Sequence, residues 1–402
     1  MLVDASWEEV QTGLLKHSRL LAGESISILE AAGRVSSEDL IADSDLPACN
    51  QSAVDGYAVA DESPTGKGQY YITGHLDLGE ISPLALKPGQ AMGVLTGGNL
   101  PLGGRAVVPH EKVEIQNHYL RSREVIKPGN NIKPAGEDYV KGSQLLSRGS
   151  VLTPGDIGLL AAYGKTSVTV SRKPRVAVLC LSKHVVPWQS LPEPGQIRDS
   201  NGPLLSALVL QDGGLPVSIK NVSKTETSVK TVAAELLEQA DILIMTGGTY
   251  AEGGNEARRL MEQLGAEIIY WDVPVQPGSH TGASVRNSQL LFALSGNPAA
   301  CAVGYQLFVA PVLRAMQGLI PSGRRLKARC ANGFAKKSSS RRFIRGHAGW
   351  DEEGWKVTVL PGQKPSMIRS LVNCNALIDM PAGSPPIEVG QDVSILLLNS
   401  LF

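Results

Sequence analysis

The sequence of 402 residues has no excess of charge of either sign, since Lys plus Arg and Asp plus Glu each number 38. A neutral chain lacks the broad positive surface that nucleic acid requires, so we expect no nucleic-acid partner. The sequence also lacks a leader-like N-terminus and shows no apolar run of 18 residues. These two absences predict a soluble, cytoplasmic protein without a membrane partner.

Cysteine is scarce and scattered, because the five cysteines include no C-x-x-C pair. An odd number of widely separated cysteines argues against a disulfide framework and against a zinc site. We therefore expect reduced, mostly packed thiols at Cys49, Cys180, Cys301, Cys330 and Cys374.

The first 173 residues combine helical patterns with short β-like runs. Apolar residues recur at helical spacing over residues 5–33, behind Asp4 and Ser6 and with a break near Gly23. A second helix is predicted over Ile157–Ala162, because a Thr-Pro-Gly-Asp start precedes it. Between these helices, β-like runs separated by turn residues predict a β-rich insertion, with strands at Ala91–Thr96, Ala106–Pro109, Glu111–Ile115 and Tyr119–Arg123.

Residues 174–318 alternate continuous apolar strands with amphipathic helices, which predicts a mostly parallel, doubly wound α/β sheet with helices on both faces. The predicted strands are Val176–Leu181, Val217–Val222, Ile242–Met245 and Leu290–Leu294. The predicted helices are Gly202–Gln211, Thr227–Gln239, Glu256–Leu264 and Ala299–Gln317.

Two glycine-containing loops follow strands of this sheet, where ligands bind in doubly wound folds. One loop is Thr246-Gly247-Gly248-Thr249, and the other is Ser295-Gly296-Asn297-Pro298 directly before a helix. The backbone N–H groups at a helix N-terminus favour anions, so these loops are candidate anion sites. The alternative is structural, because tight strand-to-helix turns need glycine for conformational reasons alone.

The remaining residues, from about 320, alternate again in short segments and predict a small β-barrel or sandwich, with runs at Phe343–Ile344, Trp355–Leu360, Ala376–Met380 and Val393–Leu398. A basic run at residues 336–342 lies inside this region. We interpret the run as a solvated loop, which is the usual behaviour of clustered charge.

One short motif points to chemistry in the N-terminal half. Asp55-Gly56 offers a turn and Tyr57-Ala58-Val59 a half-buried strand, so the Asp55 carboxylate stands at the mouth of a loop. The carboxylate there can bind a metal ion or a substrate donor. In the structural alternative, it hydrogen-bonds the backbone of its own turn.

Several motifs occur together in an order typical of one family, namely Asp55–Val59, Leu95–Gly98, Gly136–Asp138, Gln196–Asn201, Thr246–Gly248 and Ser295–Pro298. On these motifs the chain resembles the molybdopterin molybdenumtransferase family, MoeA and the gephyrin C-terminal domain, over essentially its whole length. The resemblance implies a helical arm at 1–40 and 137–173, an inserted β domain at 41–136, a molybdopterin-binding-like α/β domain at 174–319 and a C-terminal β domain at 320–402.

The resemblance also implies a function in molybdenum cofactor biosynthesis. Members of the family insert molybdate into adenylylated molybdopterin and release AMP, with a divalent cation, usually Mg²⁺, at the phosphoanhydride. It further implies a homodimer that binds adenylylated molybdopterin and molybdate, with other molybdenum cofactor biosynthesis proteins as further partners. The active site would lie between the α/β domain of one protomer and the arm and inserted domain of its partner.

By resemblance, the residues that match functional positions fall into three groups. The catalytic positions are Asp55, Thr96, Asp138 and Arg345, and two of them, Asp55 and Asp138, are also the implied Mg²⁺ ligands. The implied binding positions for the pterin and the oxyanion are Gly247, Gly248, Thr249, Ser295, Gly296, Asn297, Pro298 and Ser366, with Pro365 beside the last.

Several positions depart from the family pattern in charge. Lys183 and His184 stand where the family has a Thr-Gly-Asp-Glu loop, and Asn255 stands where it has an aspartate. The Lys-Pro-Gly-Lys segment becomes Gln276-Pro277-Gly278-Ser279, followed by His280. Two further positions are inverted in charge, with Asp272 in place of a lysine and Lys224 in place of an acid.

These departures leave three functions open. The first is a molybdenum transferase with several active-site charges replaced. The second is a catalytically impaired paralogue that binds a pterin or nucleotide as a carrier, scaffold or regulator. The third is an enzyme for another anionic substrate that uses Lys183, His184 and His280. The sequence does not identify the divalent cation, and it leaves both molybdate and tungstate open as the oxyanion substrate.

Overall fold

The computed structural model describes residues 1–60, 68–222, 228–249, 255–321 and 323–398. The chain divides into two compact units. A large unit comprises Met1–Ser37, Arg148–Ile157 and Thr166–Phe402, and a small unit comprises Glu38–Ser147 and Gly158–Lys165. The four domain boundaries expected from the sequence stay a prediction.

The large unit contains the predicted doubly wound sheet, and its fold class is confirmed. Its six strands run in the order Leu215–Asn221, Arg175–Cys180, Ile242–Thr246, Gln289–Leu294, Gly282–Arg286 and Glu267–Trp271. The first four are parallel, whereas the last two add an antiparallel edge that the sequence analysis missed.

Both faces of this sheet are covered because its central strands are apolar on both sides. Ile242 and Ile244 belong to one core cluster, and Leu243 and Met245 belong to the cluster on the opposite face. Successive side chains of a strand point to opposite faces, so one continuous apolar run supplies two cores. The covering helices are Asn201–Gln211, Val229–Gln239, Glu256–Gln263, Pro298–Gly304 and Ala310–Met316, the last two joined by a π-helical segment at Tyr305–Val309.

The expectation that no apolar run reaches 18 residues was wrong for the continuous helical segment Pro298–Met316. This segment has 19 residues and a mean hydropathy of 1.4 over its most apolar window. That window is 83% buried within the protein, so the segment has the character of a core helix packed against the sheet.

The N-terminal helix begins where Ser6 and Glu9 predict it and spans Trp7–Leu15. Ser6 and Glu9 form a reciprocal capping box, which satisfies N–H groups at the helix start. The helical interpretation of residues 16–33 was wrong, because Gly23–Ser27 is a strand paired antiparallel with Ser167–Ser171. The helix predicted near residue 157 is present as Pro154–Ala162.

The C-terminal part of the large unit is a closed five-stranded β-barrel, as the alternation predicted. The strands follow the order Arg341–Asp351, Gly354–Val359, Arg325–Cys330, Asp392–Leu397 and Ala376–Met380, and the last pairs again with the first. A sixth, short strand, Val275–Gln276, comes from the α/β part and pairs in parallel with Arg341 and Arg342.

The small unit is a β structure, as predicted. Its six-stranded sheet has the order Ala106–Pro109, Gly56–Val59, Gln90–Val94, Gln69–Leu76, Tyr119–Ser122 and Val113–Gln116. The predicted strand at Glu111–Ile115 begins later, because His110–Lys112 forms a 3₁₀ turn. Two short pairs complete the unit, Leu40–Ile41 with Gln144–Leu146 and Gln51–Ser52 with Ile132–Lys133.

Trp7 fixes the N-terminal helix to the barrel. Its ring is only 4% exposed and meets Phe343 edge to face, with ring centroids 5.6 Å apart. The guanidinium groups of Arg325 and Arg341 lie 4.6 and 5.2 Å from the Trp7 ring centroid. Apolar burial, the aromatic pair and the cation–π contacts of Trp7 therefore all stabilise the packing of the N-terminal helix on the barrel.

Replacing Trp7 by Ala tests this contact. We expect the free energy of unfolding of the large unit to fall by about 3–5 kcal/mol, because a buried indole is removed and a cavity is left. The measurement is denaturant unfolding followed by circular dichroism. The matched control is Trp350→Ala, since Trp350 is 72% exposed, and a similar loss in both variants would contradict the assignment.

Candidate functional site

A cleft of about 320 Å³ lies in the large unit, beside the strand pair that joins the α/β part to the barrel. One wall is the segment Val275–Ser279, and the other is formed by the barrel and by residues 363–365. The parallel pairing of Gln276 with Arg342 sets the distance between the walls. The lining residues are Val275, Gln276, Pro277, Gly278, Ser279, Phe334, Lys336, Arg342, Phe343, Arg345, Gln363, Lys364 and Pro365.

The lining of this cleft is strongly cationic. Lys336, Arg342, Arg345 and Lys364 contribute positive charge, and none of the residues that line it in the described structure is Asp or Glu. Uncompensated cations around a concave surface focus a positive potential and attract anions. We call this surface the cationic cleft.

Arg345 is the buried cation of the cleft, with 1% of its surface exposed. Its Nε donates to Ser370 Oγ at 3.1 Å, and its Nη2 donates to the carbonyl oxygens of Gly362 and Lys364 at 3.3 Å each. Burial desolvates the guanidinium and lowers the pKa of Arg345 to about 10, so the group is still protonated at neutral pH. Among the described residues, no carboxylate forms an ion pair with it.

Arg342 is a second cation whose position is fixed by neighbours. Its Nη2 donates to Gln276 Oε1 at 2.5 Å, and its Nε donates to Ser338 Oγ at 3.3 Å. The guanidinium also lies 5.7 Å from the ring centroid of Phe334. An arginine held by three groups presents its remaining donors in a defined direction.

The interpretation of residues 336–342 as a solvated loop was wrong for its last two residues. Arg341 and Arg342 begin the barrel strand Arg341–Asp351, and Ser338 is buried. The sequence analysis therefore missed Lys336 and Arg342 as lining residues, and it gave no role to Lys364. One sequence feature could have predicted this: the basic run lies directly before the apolar pair Phe343–Ile344, so its last residues are expected to begin a strand.

The two glycine loops of the α/β part lie against each other, at the carboxyl ends of neighbouring parallel strands. Gly247 N donates to Leu294 O at 3.1 Å, and a side chain at Gly296 would come within 3.4 Å of the Gly247 Cα. Gly247 and Gly248 have φ values of +81° and +66°, which favour glycine. Close approach and backbone conformation thus explain these glycines structurally, while Thr249 is buried.

The helix start after the second loop is partly engaged by protein groups. Asn297 N donates to Ser295 Oγ at 3.2 Å, and Ala299 N donates to the carbonyl oxygen of Pro365 at 3.0 Å. The N–H groups of Asn297 and Ala299 are therefore already bonded to protein atoms. The contact at Ala299 brings Pro365, and the exposed Ser366 after it, to the edge of the cationic cleft.

In the small unit, Asp55 and Thr96 meet as a pair. Asp55 Oδ1 accepts hydrogen bonds from Thr96 N at 2.7 Å and Thr96 Oγ1 at 2.9 Å, although 41 residues separate them. The interpretation that Asp55 bonds only its own turn was wrong. The Thr96 backbone N–H and then its hydroxyl lower the pKa of Asp55, since both stabilise the carboxylate. Asp138 is instead paired with Lys133, Oδ2 to Nζ 2.9 Å.

The positions that were expected to depart from the family pattern have their own contacts. Asp272 Oδ1 lies 3.1 Å from His280 Nδ1. Lys183 and His184 are exposed, and Asn255 precedes the helix Glu256–Gln263 in the left-handed conformation. Lys224, the other position that was expected to be inverted in charge, lies outside the described residues.

The described residues contain no cluster of three His, Cys, Asp or Glu side chains arranged to hold a metal ion. Asp55 and Asp138, the implied cation ligands, are bonded to Thr96 and Lys133. The donor set therefore does not fit a resident divalent cation that is held by this unit alone.

Comparison with known proteins agrees with this architecture. Residues 5–164 match the model of the MoeA N-terminal region (domain I and II), and residues 327–398 match the MoeA C-terminal region (domain IV). Residues 177–315 match the "Probable molybdopterin binding domain" between them. The chain belongs to the MoeA family.

Individual relatives span nearly the whole chain. A molybdopterin molybdenumtransferase of Bacillus subtilis is 32% identical over 385 residues, covering 93% of this chain and 90% of the relative. One from Staphylococcus epidermidis is 31% identical, covering 94% and 91%. Two structures of the molybdopterin biosynthesis MoeA protein from Pyrococcus horikoshii, at 25% and 24% identity, align with TM-scores of 0.86 and 0.80, each over 98% of this chain and 99% of theirs.

Substitution of Arg341 and of Arg345, which lie on the same barrel strand, is expected to have different effects on stability. Arg345→Met removes a buried cation without a carboxylate partner, so we expect the free energy of unfolding to change by less than about 1 kcal/mol, or to rise. Arg341→Met removes the two closest donors of Asp379, Arg341 Nε at 2.7 Å and Nη2 at 2.6 Å, and leaves that carboxylate only the more distant Arg325 Nη1 at 3.8 Å. We expect a loss of about 2–3 kcal/mol for Arg341→Met.

The measurement is thermal and denaturant unfolding of both variants beside the unmodified protein. An equal loss of stability in the two variants would show that Arg345 is an ordinary structural cation.

Proposed function

We propose that the protein acts in molybdenum cofactor biosynthesis as a transferase that inserts molybdate into adenylylated molybdopterin with release of AMP. The observation that carries the proposal is the cationic cleft, where buried Arg345 has no described carboxylate partner. Its relatives in the MoeA family are named molybdopterin molybdenumtransferases, which agrees with this proposal.

The charge of the cleft suits a tetrahedral oxyanion such as molybdate. Arg345 is desolvated, so an anion that meets it gains more interaction energy than it would beside an exposed cation. The carbonyl groups of Gly362 and Lys364 hold the guanidinium in place before the anion binds. Lys336 and Lys364 lie at the cleft surface, where their ammonium groups draw the anion in and balance its second charge.

The rest of the proposed site follows the resemblance. Asp55, Thr96 and Asp138 keep their proposed catalytic roles, of which the Asp55 carboxylate is held ionised by Thr96. The proposed pterin-binding loops contain Gly247, Gly248 and Thr249 and the segment Ser295–Pro298, with Ser366 at the edge of the cleft. Magnesium supplies charge neutralisation at a phosphoanhydride when it is bound, but the described residues do not assemble three ligands for it.

The assembly and location belong to the same proposal. We propose a cytoplasmic homodimer whose substrates are adenylylated molybdopterin and molybdate, with contacts to other proteins of molybdenum cofactor biosynthesis. Light scattering tests the dimer, and a monomer at micromolar concentration would contradict it.

The second candidate function is a catalytically impaired paralogue that binds a pterin or nucleotide. It is favoured by the pairing of Asp138 with Lys133 and by the lack of a three-ligand metal cluster in the described chain. Such a protein would bind the same anions without turnover.

AMP release separates the two candidates. The purified protein is incubated with adenylylated molybdopterin, molybdate and magnesium, and AMP is quantified by chromatography. We expect AMP release that depends on molybdate, and ligand binding without release would support the impaired paralogue.

A pair of neighbouring lysines provides the matched test of the cleft. Lys336→Gln removes a cation that lines the cleft. We expect the molybdate concentration that gives half-maximal AMP release to rise roughly tenfold, which corresponds to about 1.4 kcal/mol of binding free energy. Lys337→Gln is the control, because Lys337 is also exposed but does not line the cleft. Equal effects of both substitutions would show that only the overall charge matters.

A further inference from the structure

Gln276 and Arg342 form the closest polar contact across the cationic cleft. Gln276 Oε1 accepts from Arg342 Nη2 at 2.5 Å, and the two residues are also partners in the parallel strand register. The contact thus depends on backbone pairing as well as on the side chains. It joins the two walls of the cleft.

Some guanidinium nitrogens of Arg342 donate hydrogen bonds to protein atoms, and one is left for a ligand in the cleft. Gln276 and Ser338 accept from its Nη2 and Nε, and the Phe334 ring lies against its guanidinium. The hydrogen bonds given by the described residues therefore involve two of its three nitrogens, and Nη1 remains for a ligand in the cleft that Arg342 lines.

The neutral residue at position 276 follows from this arrangement. The family resemblance leads us to expect a lysine in the segment where this chain has Gln276. A lysine there would face the Arg342 guanidinium at hydrogen-bond distance, and two cations that close repel each other strongly. A glutamine gives Arg342 an acceptor without adding or cancelling charge.

We propose that Arg342 contacts the bound oxyanion and takes the place of the missing lysine, and that Gln276 is a positioning residue that acts through Arg342. The proposal deepens the proposed function and rests on the same anion-binding cleft. It assigns the oxyanion two arginines that both line the cleft, buried Arg345 and half-buried Arg342.

The test is a double-mutant cycle with inorganic molybdate as the ligand, measured by isothermal titration calorimetry on the full chain. We expect Arg342→Gln to weaken molybdate binding at least about tenfold, because one charged donor is lost. Gln276→Met removes the acceptor but keeps the size of the side chain, and we expect about threefold to tenfold weaker binding. In the double variant the two effects should not add, because Gln276 acts only through Arg342.

The control is Gln391→Met, since Gln391 Oε1 also accepts a hydrogen bond, from Glu388 N at 2.9 Å, but lies outside the cleft lining. Its affinity for molybdate should equal that of the unmodified protein. Melting temperatures of all variants are measured in parallel, and a purely structural role of Gln276 would lower the melting temperature while leaving the affinity unchanged.

Three outcomes would overturn the inference: no binding of molybdate by the unmodified protein, unchanged affinity in Arg342→Gln, or additive effects in the double variant. AMP release is a separate readout. Absence of AMP release with intact molybdate binding would contradict the proposed transferase activity but leave the assignment of Arg342 supported.

Discussion

The parallel pairing of Val275–Gln276 with Arg341–Arg342 is the constraint on which the cationic cleft depends. It holds a segment that lies between the two edge strands of the α/β sheet, Glu267–Trp271 and Gly282–Arg286, against the first residues of a barrel strand. Backbone hydrogen bonds and the shared apolar core, in which Val275 packs with Phe343, fix this contact together. The N-terminal helix reinforces the same region, since Trp7 packs on Phe343 and Glu8 binds Arg341.

Two arginines four residues apart on this strand, Arg341 and Arg345, have different surroundings. Arg341 is neutralised by Asp379 and Glu8 and stabilises the packing of helix on barrel. Arg345 is more deeply buried and is held only by a hydroxyl and carbonyl oxygens among the described residues. A desolvated cation without a counter-ion opposes folding, and such strain is typical of functional sites, where a ligand supplies the missing charge.

Secondary-structure elements were predicted correctly where the apolar pattern of a continuous segment is enough to identify them. The strand Ala106–Pro109 has the predicted bounds, and the buried parallel strands differ from prediction by only one or two residues. Predictions failed where the partner is distant in sequence. Gly23–Ser27 is a strand because Ser167–Ser171 pairs with it. The Asp55 carboxylate accepts hydrogen bonds from Thr96, 41 residues away, because Thr96 provides two donors. Local periodicity carries no information about such partners.

The strand Arg341–Asp351 pairs with three segments along its length, first with Val275–Gln276, then with Ala376–Met380 and finally with Gly354–Val359. Side chains alternate between faces, with Phe343 against the α/β core and Ile344 inside the barrel, so a single inserted or deleted residue near its start would turn Arg345 towards the barrel interior and shift every pairing beyond it. A change of length is therefore expected to disrupt this strand, whereas the exposed turn at Glu352–Glu353 should tolerate one.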